Sequence, residues 1–138
     1  MIVNPAYMYM GKQGPSVNPN IWEGGTVNYP YQVYGYSRFE PDKSRFVVAA
    51  GDNIDFTLPL KKFTKITFVV QAPAGKQGNC TFSLRKNGAS GGNLSFTPST
   101  TAQTIVFNIP AEFQDDDVIV SCAAYSRNNL YLLSGIMS

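Results

Sequence analysis

From residue 44 to the end of the chain, apolar residues recur at every second position. This is the period of a β-strand that buries one face, as where Ile54, Phe56 and Leu58 alternate with polar neighbours. No stretch of ten residues shows the 3.6-residue period of an amphipathic helix. The alternation predicts eight short strands, near residues 46–49, 54–60, 66–70, 80–84, 94–96, 105–109, 118–124 and 130–136.

Turn-forming residues separate these runs. A Gly-Asp-Asn turn at 51–53 precedes the second run, a Gly-rich stretch at 87–93 predicts a hairpin between the fourth and fifth, and Pro110 ends the sixth. We therefore predict an all-β fold, an antiparallel, jelly-roll-like β-sandwich of about eight strands over residues 38–138. An immunoglobulin-type sandwich is disfavoured because the only tryptophan, Trp22, does not lie between the two cysteines.

Residues 1–37 differ in composition from this β-rich region. They hold six of the eight tyrosines and the only tryptophan but just two charged residues, and prolines break up any regular element. We predict an extended N-terminal arm that lies on neighbouring subunits, since aromatic residues are enriched at protein interfaces. Packing on the chain's own body is the alternative. The predicted interface anchors are Tyr7, Tyr9, Trp22, Tyr29, Tyr31, Tyr34 and Tyr36.

The residue types argue against catalysis. There is no histidine, which removes the usual general base, the Ser-His-Asp set and the commonest zinc ligand. A glycosidase needs two carboxylates facing one sugar bond. The strand pattern places no such pair among Glu23, Glu40, Asp52, Asp55, Glu112 and 115–117. We predict no enzyme, no catalytic residue, no metal site and no cofactor.

Charge and hydropathy limit the partners. The net charge of +2 comes from scattered basic residues, so we expect no nucleic-acid binding. No apolar run reaches the roughly 18 residues that a membrane span requires. The N-terminus lacks the charged head and apolar run of a signal peptide, and we expect no export by the general secretory route.

The two cysteines and the acidic run each leave two interpretations open. Cys80 and Cys122 each lie in an apolar strand pattern, which favours buried free thiols over a disulfide between two strands. The acidic run at 115–117 is a solvated loop or, alternatively, a calcium site.

Aromatic faces also stack on pyranose rings, so loop aromatics could form a sugar platform. The candidates are Trp22, Tyr29, Tyr31, Tyr34, Tyr36, Tyr125 and Tyr131. For the N-terminal members of this set, interface packing is the favoured interpretation.

A short "MIVNP" start, an aromatic and proline-rich arm, few charges and no catalytic set together resemble accessory virion proteins of tailed bacteriophages. Capsid decoration or cement proteins are the most similar kind, followed by small tail or head-fibre proteins. The resemblance implies a non-enzymatic structural protein of the virion, assembled in the host cytoplasm. Its partners would be major capsid or tail subunits, further copies of itself as a homo-oligomer, and a surface glycan. The alternative is a carbohydrate- or receptor-binding sandwich module of a phage fibre or tail, because residues 51–136 also resemble carbohydrate-binding jelly rolls.

Overall fold

The computed structural model describes residues 17–30, 37–73, 78–124 and 129–138. They form one helical turn, α1 (Ile21–Gly24), a 3-10 turn at Ala111–Phe113, and ten strands. The strands are β1 (Thr26–Asn28), β2 (Arg38–Glu40), β3 (Arg45–Val48), β4 (Asn53–Leu58), β5 (Lys65–Gln71), β6 (Cys80–Lys86), β7 (Ala89–Phe96), β8 (Gln103–Asn108), β9 (Val118–Ala124) and β10 (Leu130–Met137). None of the described helices is long and apolar enough to cross a membrane.

The strands form two five-stranded antiparallel sheets. Sheet I has the order β1-β4-β9-β6-β7 and sheet II the order β2-β3-β10-β5-β8. This confirms the predicted all-β sandwich. The eight predicted strands correspond to β3 through β10. The two additional strands, β1 and β2, have three residues each, which is too short for alternation to reveal them.

The core lies between the two sheets and is built from the inward half of each alternating strand. Aromatic contacts link the two layers, and two of them bring the ring centroids closest together. Phe68 of sheet II stacks on Phe82 of sheet I with ring centroids 4.0 Å apart. Phe46 of sheet II meets Phe56 of sheet I edge-on at 5.1 Å. Phe56, Phe68 and Phe82 are almost fully buried, so these contacts fix the two sheets against each other.

The predicted hairpin between the fourth and fifth runs is confirmed as the β6–β7 hairpin. Its turn is Asn87-Gly88, and both residues have positive φ angles, 51° and 78°. Two successive residues of positive φ form the hairpin turn whose twist matches that of the strands, and Asn-Gly is its preferred sequence. The glycines that follow lie inside β7, where the register with β6 shifts between Phe82 and Leu84.

The described part of the predicted arm, residues 17–30, is built into the sandwich. The Asn20 side chain caps α1 by accepting a hydrogen bond from the Trp22 amide. Ile21 is 1% exposed and belongs to the core, and β1 pairs with β4. The sandwich therefore extends upstream of the predicted boundary at residue 38. The rest of the predicted arm, at 1–16 and 31–36, lies outside the described residues.

Both cysteines are buried free thiols, as the strand pattern favoured. Burial raises the pKa of the Cys80 thiol to about 11 and that of Cys122 well above its ordinary value. A thiolate in the core would lose its hydration, so both side chains behave as small apolar residues.

Candidate functional site

One aromatic side chain stands on an outer face of the sandwich. Leu130 and Leu132 of β10 point into the core, so Tyr131 between them points away from it. The other described tyrosine, Tyr29, and Trp22 instead pack against the core. Tyr131 is therefore the described tyrosine that a ligand on the face of sheet II would meet.

A guanidinium group is stacked on this tyrosine. The Cζ atom of Arg45, on β3, lies 3.7 Å from the centroid of the Tyr131 ring. The Arg45 Nε donates a 2.7 Å hydrogen bond to Glu40, and Arg38 contacts the same carboxylate at 2.9 Å. Hydrogen bonds from Arg45 first and Arg38 second lower the pKa of Glu40, which stays ionised at neutral pH. The Arg45 side chain is thus held between a carboxylate and an aromatic ring.

Strand register sets the neighbours of this group. Arg38 is opposite Val47, Val47 is opposite Tyr131, and Tyr131 is opposite Gln71, in a row across β2, β3, β10 and β5. The Gln71 side-chain amide donates to the carbonyl oxygen of Thr100 at 2.8 Å. We call Arg38, Glu40, Arg45, Gln71 and Tyr131 the Tyr131 site. It combines a ring for stacking with fixed planar donors and acceptors.

The outer face of sheet I is built differently. Asp55 of β4 is 7% exposed and accepts hydrogen bonds from Arg85, Asn53 and Ser121. The carboxylate is already saturated by its own chain. Strand alternation places mostly small polar side chains on the rest of this face, together with Ile119 and Ala123 of β9, and no aromatic one among the residues described. This face offers hydrogen bonds without a stacking surface.

The structure describes two of the seven predicted interface anchors. The Trp22 ring packs edge-on against Phe46 at 4.8 Å and stacks on Phe56 at 5.9 Å, while its Nε1 donates to the Ser44 carbonyl oxygen. Tyr29 is half-buried against the core, and burial raises the pKa of its phenol. Both therefore contact their own sandwich. The other five, Tyr7, Tyr9, Tyr31, Tyr34 and Tyr36, lie outside the described residues, as does Tyr125 of the sugar-platform set.

The acidic run at 115–117 has a structural partner. Asp115 forms a 3.1 Å ion pair with Lys86, which lowers the pKa of Asp115. In the part of the chain that the structure describes, no group of three or more acidic or cysteine side chains is placed to hold a metal ion. The ion pair with Lys86 is what a solvated, charged loop would form.

Comparison with known proteins gives structural likeness only. No family model matches the chain, and no curated protein matches it. The apo carbohydrate-binding module BiXyn10A CBM1 superimposes with a TM-score of 0.59 at 12% identity, covering 86% of this chain and 94% of that one. A CBM36 carbohydrate-binding module in complex with calcium and xylotriose has a TM-score of 0.53 at 16% identity, covering 82% and 99%.

A family two carbohydrate esterase from Cellvibrio japonicus has a TM-score of 0.51 at 13% identity. The match covers 83% of this chain and 33% of the esterase chain, so this protein spans about a third of that enzyme. Identities this low show a shared β-sandwich fold and nothing of the ligand.

Two members of the Tyr131 site are among the sequence candidates. The sequence predicts Tyr131 as part of a sugar platform and offers Glu40 only as a carboxylate for glycoside hydrolysis. Arg45 was missed, because its partner on the ring is 86 positions away in the chain and only strand register brings the two together. The local sequence shows only that Arg45 stands just before the short apolar run at 46–49.

The packing of Trp22 predicts a structural role. We expect Trp22→Ala to lower the free energy of unfolding by about 2–4 kcal/mol, since it removes ring contacts with Phe46 and Phe56. Val17→Ala, at a site that is 44% exposed, should change it by less than about 0.5 kcal/mol. Urea unfolding followed by far-UV circular dichroism measures both. Equal stability of the two variants would contradict this role.

Proposed function

We propose that this protein is a non-enzymatic carbohydrate-binding module whose ligand stacks on the face of the Tyr131 ring opposite the Arg45 guanidinium. The observation that carries the proposal is the Arg45 guanidinium held 3.7 Å from the Tyr131 ring centroid on an outer sheet face. The sandwich fold shared with carbohydrate-binding modules supports it.

The chemistry of the site suits a sugar. A pyranose ring has a face of weakly polarised C–H groups, which are attracted to the electron-rich face of an aromatic ring. Its edge carries hydroxyls that donate and accept hydrogen bonds. Tyr131 supplies the ring, Glu40 an acceptor, and Arg38, Arg45 and Gln71 supply planar donors.

The site is also ordered before a ligand arrives. Arg45 is 16% exposed and is bonded to Glu40, and the Gln71 amide is fixed by the Thr100 carbonyl oxygen. A ligand therefore has fewer side-chain rotamers to immobilise on binding. Since Glu40 and the arginines already neutralise one another in part, an uncharged oligosaccharide suits the site better than a strongly charged ligand.

The proposal predicts a sharp difference between two substitutions of one residue. Tyr131→Ala should weaken oligosaccharide binding at least about tenfold, or ~1.4 kcal/mol, because the stacking surface is lost. Tyr131→Phe keeps the ring and should retain most of the affinity. A glycan array that includes xylo- and gluco-oligosaccharides would identify the ligand, and isothermal titration calorimetry would measure each variant.

Thr81→Ala is the matched control, because Thr81 lies on the outer face of sheet I and should leave binding unchanged. Wild-type protein that binds no sugar on the array would contradict the proposal. Equal sugar affinity of Tyr131→Ala and the wild type would contradict the assignment of the binding site to Tyr131.

We further propose that the module is part of a bacteriophage particle. The support is the charge-poor, aromatic N-terminal sequence and its resemblance to accessory virion proteins. Mass spectrometry of purified particles would detect the protein with a copy number tied to the capsid or tail. Its absence from intact particles would contradict this second proposal and leave sugar binding untouched.

A further inference from the structure

We propose that two copies of this chain form a dimer by antiparallel pairing of their β8 strands, with Val106 on the two-fold axis. The proposal rests on the β8 edge of sheet II, which no other described strand covers. It is independent of sugar binding.

Strand β8 ends sheet II on one side. Among the described strands its single neighbour is β5, and its residues Thr104, Val106 and Asn108 are exposed. An unpaired strand presents a row of backbone N–H and C=O groups that another strand can complete.

The hydrogen bonds show which residues present these groups. The Ile109 amide donates to the Thr64 carbonyl oxygen at 2.8 Å, so Ile109 directs its N–H group toward the β5 side. On the other side of β5, Lys65 and Ser138 exchange two bonds, at 2.9 and 3.1 Å. Antiparallel ladders alternate strictly in this respect. The odd-numbered residues of β8 therefore bond to β5.

The even-numbered residues Thr104, Val106 and Asn108 direct their N–H and C=O groups away from the sheet. Within the described residues, no hydrogen bond reaches these six backbone groups. Three alternate residues with free donors and acceptors form a complete edge for a second strand.

The other edges of the sandwich are better protected against pairing. On sheet II, β2 has three residues, two of them in the Arg38–Glu40 ion pair. On sheet I, β1 is equally short, and the β6–β7 register shift distorts β7. Short strands, charges and bulges are the usual protection of a sheet edge. In β8 we find none of these, and no charged residue occurs from 97 to 111.

A second copy of this chain suits the edge because identical uncharged strands meet without like-charge repulsion. The outward backbone N–H and C=O groups of residues 104, 106 and 108 can bond to the same groups of a second copy in one symmetric register. Val106 then pairs with Val106 of the second copy, and Thr104 pairs with Asn108. Each pair exchanges two backbone hydrogen bonds, and the Val106 side chains, 46% exposed in the monomer, cover each other.

The dimer would carry two Tyr131 sites on one continuous ten-stranded sheet. The β10 strands of the two copies would lie five strand spacings apart, or about 24 Å. A polysaccharide chain bound at both sites would gain avidity without any new contact.

Cysteine cross-linking tests the register. Residues opposite each other in a hydrogen-bonded pair have Cα atoms about 5.5 Å apart, within the range of a disulfide. Val106→Cys should therefore form a covalent dimer under mild oxidation. Thr104→Cys alone should not, because its two copies would lie roughly 14 Å apart, whereas a mixture of Thr104→Cys and Asn108→Cys chains should cross-link. Cys80 and Cys122 are buried and leave the introduced thiols as the reactive pair.

Sedimentation equilibrium tests the dimer itself. Wild type should dimerise with rising concentration, and Val106→Lys should remain monomeric because two like charges would face each other. Val106→Pro should also remain monomeric, because proline removes the backbone N–H that points toward the second copy. A circular-dichroism spectrum like that of the wild type would show that the edge strand still folds with this proline. Val27→Lys, at an exposed valine of β1, is the matched control and should dimerise like wild type.

Three results would overturn the proposal. They are wild-type protein that stays monomeric up to about 500 µM, a dimeric Val106→Lys variant, and a disulfide between two Thr104→Cys chains.

Discussion

The contacts between the two sheets determine which residues of the described strands face outward. Phe68 on Phe82 and Phe46 on Phe56 join strands of opposite sheets, and the inward residues of the neighbouring strands fill the space around them. Because side chains alternate along a strand, a register slip of one residue would turn the inward side chains of that strand out to solvent. The same requirement directs Tyr131 outward on β10 and places Arg45 within reach of it on β3.

The two outer faces then differ in what they offer a ligand. On sheet I, Asp55 is satisfied by Arg85, Asn53 and Ser121, so the polar groups there mostly serve one another. On sheet II, the Arg38–Glu40–Arg45 network supports an aromatic ring instead. An aromatic surface flanked by fixed hydrogen-bonding groups can select a ligand by shape and by hydroxyl pattern together. This difference is why the proposed sugar site lies on sheet II.

Long alternating runs made the sandwich predictable from sequence, and β3 to β10 follow the predicted runs closely except for β7, which begins at Ala89 within the Gly-rich stretch predicted as a turn. Strands β1 and β2 could not be found, since three residues do not establish a period. The contacts of Trp22 with Phe46 and Phe56 join residues far apart in the chain, so composition alone left interface packing and packing on the chain's own body as alternatives. Arg45 and Tyr131 meet through pairing of β3 with β10, and no local pattern specifies that partner. Sequence therefore predicted the layers but only one aromatic member of the candidate site.

Amide chemical-shift mapping would test the central claim, that register places a sugar-binding surface on the outer face of sheet II. The probe would be the oligosaccharide that binds best on a glycan array, titrated into uniformly ¹⁵N-labelled protein. We expect the largest shift changes at Arg45, Gln71 and Tyr131, on three adjacent strands. Changes concentrated instead around Ser83 and Arg85, on the outer face of sheet I, would contradict this account.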